Sequence, residues 1–117
     1  MLITLKEGVI IKEVNRPFVD LCITLSRVWS DFGHGYPTMT SAYDGKHEVN
    51  SYHYKALAWD WRIWGLSQTE AETVARRLRD ELRQISAAFD VIYGDPAHKD
   101  HIHVEYDLMK AGGVVYG

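Results

Sequence analysis

A chain of 117 residues with 46% hydrophobic and 25% charged residues and a mean hydropathy of -0.25 has the make-up of one globular domain around one core, which excludes a disordered chain. The formal net charge is -3 and the basic residues form no stripe, so no nucleic-acid partner is expected. No run approaches the roughly 20 apolar residues of a membrane helix. The N-terminal apolar run is short and interrupted by Glu7, so it does not read as a signal peptide, and synthesis in the cytoplasm is expected. The single cysteine, Cys22, has no internal partner, which agrees with folding in a reducing compartment.

Residues 1–14 hold two apolar runs, Leu2-Ile3-Thr4-Leu5 and Val9-Ile10-Ile11, which predict a small hairpin or an extended arm. Asn15-Arg16-Pro17 reads as a helix start, because proline is tolerated in the first turn. Phe18, Leu21, Cys22, Leu25, Val28, Trp29 and Phe32 follow at helical spacing and predict a helix over about 16–31, with Cys22 a buried structural thiol. Thr38 to Tyr43 reads as a strand, residues 44–50 as a polar connection, and Ser51 to Trp64 as one strand or a hairpin. Ser67 and Glu70 form a capping-box pattern, and Val74, Ala75, Leu78, Leu82 and Ile85 mark the inner face of a second helix over about 68–86. Phe89 to Tyr93 and His101 to Tyr106 are further strands, followed by a glycine-rich tail. The fold class is α+β, a small antiparallel sheet with two main helices, as a single domain over 1–117.

Alternation puts His101, His103 and Glu105 on one face of the last strand and Ile102, Val104 and Tyr106 on the other. The three apolar residues mark the core side, so the histidines face a cleft or solvent. In the earlier aromatic segment, Ala58 and Asp60 share one face and Leu57, Trp59 and Trp61 the other. A carboxylate between two large aromatics is costly unless it is partnered, and a metal ion would offset that cost. Two histidines and an aspartate from distant segments satisfy the three-ligand requirement of a catalytic zinc site whose fourth position is left to water.

The ordered set Thr40-Ser41-Ala42-Tyr43, Ser51-Tyr52-His53-Tyr54, Ala58-Trp59-Asp60 and Asp100-His101-Ile102-His103 resembles the zinc D-alanyl-D-alanine peptidases of the peptidase M15 family and the related Hedgehog signalling domain. The similarity spans roughly 38–107, with a helix between the two ligand segments. The resemblance implies a Hedgehog/DD-peptidase-like fold in which His53, Asp60 and His103 are the zinc ligands. It also implies that Asp100 is the general base, that Ser51 lies near the substrate, and that His101 is a further histidine beside the metal. The implied activity is hydrolysis of peptide bonds in D-amino-acid-containing peptides, with peptidoglycan stem peptides or cross-links as substrate. A carboxypeptidase or a phage endolysin-type endopeptidase released to the cell wall both fit. The alternative is a non-catalytic, zinc-stabilised binding module of Hedgehog type.

The chain departs from the family pattern at three places. Ala56 and Leu57 stand where glycine and arginine are common. Asp44 stands where the preceding strand often carries a substrate-binding arginine, which leaves Lys46, His47, Arg62 and His101 as candidates for that role. The acid of the Hedgehog type, six positions before the last histidine, is replaced by Ala97. In a regular strand Asp100 would point away from His101 and His103, so it can act only if the strand starts at His101 or a bulge turns it inward. Glu105, on the histidine face, is the fallback base. His34 is expected to be a solvated loop histidine, and His98 to lie at the rim of the site.

Overall fold

The computed structural model describes residues 3–45, 47 and 50–117. Helix α1, Arg16–Ser30, starts where Asn15 accepts a hydrogen bond from the Phe18 N–H at 3.0 Å, with Pro17 in its first turn. Its stripe of Phe18, Leu21, Cys22, Leu25, Val28 and Trp29 is buried. Burial pushes the Cys22 thiol up to about 12, far from the range of a reactive thiolate, as a structural thiol requires. Helix α2, Gln68–Ile85, carries the full capping box: Ser67 Oγ accepts from Glu70 N and Glu70 Oε1 accepts from Ser67 N. Such a cap contributes about 1 kcal/mol. Ala71, Val74, Ala75, Leu78 and Leu82 face inward, whereas Ile85, in the last turn, is exposed.

Five strands form one sheet: β1 (Thr4–Leu5), β2 (Thr38–Ser41), β3 (Ala58–Arg62), β4 (Phe89–Ile92) and β5 (His101–Tyr106), in the order β1-β2-β3-β5-β4. The expected antiparallel sheet holds for three of the pairings, but β1 lies parallel to β2. The reason is connectivity: a hairpin turn can join only antiparallel neighbours, and here α1 supplies the crossover that a parallel pair needs. The N-terminal segment is therefore an arm and not a hairpin.

A second correction concerns 51–64. Only Ala58–Arg62 is a strand, and Tyr52–Lys55 forms a 3-10 turn instead. Ser51 caps that turn through its side chain, and Ala56 ends it with a left-handed φ of 57°. The Ala56 N–H then bonds to the His53 carbonyl and the Leu57 N–H to the Tyr52 carbonyl. The chain folds back on itself, and this brings His53 over the strand that carries Asp60.

The register separates two faces. Trp59 pairs with Val104 and Trp61 with Ile102, while Asp60 pairs with His103, Arg62 with His101 and Ala58 with Glu105. Met39, Trp59, Trp61, Phe89, Ile102 and Val104 are sealed with the helical stripes in one core, where a fully buried side chain of this size contributes about 2–3 kcal/mol. The opposite face carries the polar residues. No helix among the described residues is long and apolar enough to cross a membrane.

Candidate metal centre

Three side chains meet on the polar face. His53, Asp60 and His103 offer ligand atoms that lie within 4.8 Å of one another. Two come from paired strands, since Asp60 and His103 are register partners. The third descends from the 3-10 turn. A bulge in β2 assists: Met39 pairs with Trp61 but Ser41 pairs with Asp60, so one extra residue bends the strand end toward the site. That bend carries the Ala42 carbonyl to 2.7 Å from His53 Nδ1.

The hydrogen bonds fix the imidazoles. A carbonyl only accepts, so His53 Nδ1 carries a proton and donates it to Ala42. Nε2 of the same ring then presents its lone pair to Asp60 Oδ2, 3.3 Å away. Two acceptors facing each other at this distance require a cation between them or a second proton on the ring. His103 is held from both sides, with Nδ1 2.7 Å from Asp60 Oδ1 and Nε2 2.8 Å from Glu105 Oε1. With a metal on Nδ1, the Nε2–H donation to Glu105 becomes the carboxylate–histidine–metal relay that orients ligating imidazoles and raises their basicity. The donor set therefore suits a metal ion: two nitrogens and one carboxylate, each imidazole steadied by an acceptor on its far nitrogen.

The electrostatics agree. Burial favours the neutral imidazole of His103, yet the hydrogen bonds it donates to Asp60 and Glu105 outweigh burial and lift its pKa to about 9. Burial likewise favours the neutral Asp60 carboxyl, but His103 and His53 together hold it well below the usual carboxylate range. Without a cation, this centre stores its charge as an imidazolium between two carboxylates.

A cleft of about 600 Å³ opens over the three residues. Ser51 lines it, with Oγ accepting from the His53 N–H at 3.2 Å. His101 lines it as well, its Nε2 3.8 Å from Asp60 Oδ1. Strand β5 does begin at His101, but the Asp100 side chain is 91% exposed and bonds to His101 Nδ1 at 2.7 Å. Asp100 thus touches the centre through His101, and that hydrogen bond keeps its carboxyl below the ordinary value. Glu105 is engaged with His103, which makes it an orienting group. His98 stands at the rim, its ring 5.2 Å from that of His103 and its Nδ1 2.6 Å from Asp95. His34 lies apart, paired with Glu70. Lys46 is outside the described residues.

One contributor, the Ala42 carbonyl, escaped the sequence reading because it has no side-chain signature. His47, expected only as a candidate for the missing arginine's role, stacks on His53 with centroids 3.8 Å apart and planes 6° from parallel. Asp44 is structural: its Oδ1 accepts from Ile10 N and Ala42 N and so fixes the end of β2.

No family model matches this chain, and no curated protein or solved structure matches it either.

Proposed function

We propose that this protein is a zinc metallopeptidase of the Hedgehog/DD-peptidase type, acting on D-amino-acid-containing peptides such as peptidoglycan stem peptides or cross-links. Its main support is the hydrogen bonding of the three ligands: His53 and His103 each have one nitrogen committed to an outer acceptor and the other directed at Asp60. His53, Asp60 and His103 would hold the zinc, which when bound would lower the pKa of a coordinated water to about 7 and polarise a substrate carbonyl. The substrate class rests on the family resemblance of the motifs.

The residues of the chain divide the remaining work. Asp100 accepts from His101 Nδ1, which leaves Nε2, on the side that faces Asp60, free to take a proton from the attacking water. His101 takes the water proton there as the water oxygen bonds to the carbonyl carbon. The same nitrogen returns the proton to the amine as the carbon–nitrogen bond breaks. Asp100 acts through His101 as a positioning residue, in place of the direct base that the motif implies. Ser51 and Tyr52 line the cleft, with Tyr52 held by donation to Asp107 at 2.8 Å.

The test is release of new amino groups from purified peptidoglycan by zinc-loaded protein, with zinc-stripped protein and His101→Ala alongside. Release that needs both zinc and His101 is the expected result. No release by the zinc-loaded wild type, across peptidoglycans of several cross-link chemistries, would favour the binding module instead.

A further inference from the structure

Beside the main cleft, and sharing Asp60 and His101 with it, lies a smaller recess of about 240 Å³. Its walls are Thr40 on β2, Arg62 and Trp64 at the end of β3, and Lys6 just beyond β1. Its lining thus comes from β2, β3 and β5 and from the residues that follow β1 and β3 and precede β5. Arg62 pairs in register with His101 and lies two positions from Asp60 on the same strand face, about 6.5–7 Å along the chain.

The recess has an uneven charge inventory. Its acids are already engaged: Asp60 is held by His53 and His103, and Asp100 by His101. Its cations are not. The arginine and lysine ion pairs of the described residues use Arg16, Arg27, Arg77, Arg83 and Lys110, and neither Lys6 nor Arg62 is among them. Arg62 instead sits over the Trp64 ring, its Cζ 3.8 Å from the ring centroid. That platform orders the guanidinium with its edge donors unspent, while Trp64 itself is 73% exposed. An ordered planar fork beside a second cation suits a carboxylate, which arginine can bind bidentately.

We propose that Lys6 and Arg62, with Trp64 as the support for Arg62, form a clamp for the carboxylate of the substrate residue on the leaving-amine side of the bond that is cut. The inference rests on the metallopeptidase reading and adds to it the recognition element that Asp44 cannot supply. It makes a ligand with a free carboxylate one residue beyond the metal the preferred one.

The probes are mercaptoacetyl-D-alanine and its C-terminal amide, titrated calorimetrically into the zinc-loaded protein. The thiolate anchors both on the metal, and only the acid reaches the clamp with a negative charge. The acid should bind at least about tenfold more tightly than the amide, with the preference shrinking as salt rises. Arg62→Gln should abolish most of the preference, Lys6→Gln should reduce it, and Arg62→Lys should keep part of it, all without changing zinc content or amide affinity. Equal binding of acid and amide by wild type, or an intact preference in the Lys6→Gln/Arg62→Gln double variant, would overturn the clamp and leave the metal centre standing. Failure of both thiols to bind would overturn the metal centre and the clamp with it.

Discussion

Two groups on the same face of the sheet satisfy the bare geometry of a metal site: His53, Asp60 and His103, and the acidic group Asp90, Glu105 and Asp107. They differ in what already neutralises them. Asp90 receives Lys110 Nζ at 2.6 Å and the Arg83 guanidinium at 3.3 Å, and Asp107 accepts from the Tyr52 hydroxyl at 2.8 Å. The histidine group has both imidazoles buried, has no lysine or arginine among its described ion pairs, and directs nitrogens from two rings at one carboxylate. Proximity of acids is common on protein surfaces. The distinguishing sign is a set of ligand atoms whose outer partners are satisfied and whose inner sides face one another. Glu105 belongs to the acidic group, but its bond to His103 ties it to the histidine group.

The largest way to break this contrast is His103→Ala. It should reduce bound zinc to near zero and abolish turnover, and it should remove metal-dependent stabilisation of about 2.7 kcal/mol at a free zinc concentration one hundred times Kd. Thermal melts with and without zinc measure the loss. Asp100→Asn should keep zinc and lower kcat by roughly 10²–10⁴-fold with little change in KM. Partial recovery in Asp100→Glu would mark a positioning role, and full activity in Asp100→Asn would remove it.

The contrast can be sharpened by pH. Because the folded-state pKa of His103 is raised to about 9 from an unfolded value of about 6.5, its contribution to zinc-free stability is fully present below about pH 6.5. It is lost as pH climbs to about 9 and amounts to about 3 kcal/mol at most. Zinc affinity should rise over the same window, because the proton must leave His103 for it to ligate. Chemical denaturation of zinc-free protein and zinc titration, each run from pH 6 to 9, should therefore trend in opposite directions. Parallel trends would contradict a raised His103 pKa and its deprotonation on binding zinc.

Much of this was legible beforehand, for definable reasons. The helices announced themselves through the Phe18-to-Trp29 stripe and the Ser67–Glu70 capping box, and β5 through strict alternation. The same alternation put His101, His103 and Glu105 together. The 3-10 turn at Tyr52–Lys55 was hidden because Tyr52 and Tyr54 mimic a strand pattern, and because a left-handed alanine at position 56 carries no compositional mark. The parallel β1–β2 pair was hidden because two-residue pairing depends on where α1 returns the chain, a tertiary matter. The role of Asp100 depended on a side-chain direction that motif spacing does not specify.

Smaller effects separate the two groups further. Glu105→Gln should weaken zinc binding about 10–100-fold by loosening His103. Asp90→Asn should leave zinc affinity unchanged and cost about 0.2–1 kcal/mol, the usual worth of exposed ion pairs. Smallest is Ala56→Gly, which relieves the left-handed alanine at φ 57° and should stabilise the fold by about 0.5–1 kcal/mol, offset in part by the greater freedom of glycine in the unfolded chain. A denaturation midpoint shift at constant slope would report it.

The most direct test of the central claim is zinc stoichiometry at equilibrium, measured by elemental analysis after dialysis on wild type, His103→Ala and Asp90→Asn in parallel. The account predicts about one zinc per chain for wild type and Asp90→Asn and almost none for His103→Ala. Retention of zinc by folded His103→Ala, or its loss from Asp90→Asn, would contradict the placement of the metal centre at His53, Asp60 and His103.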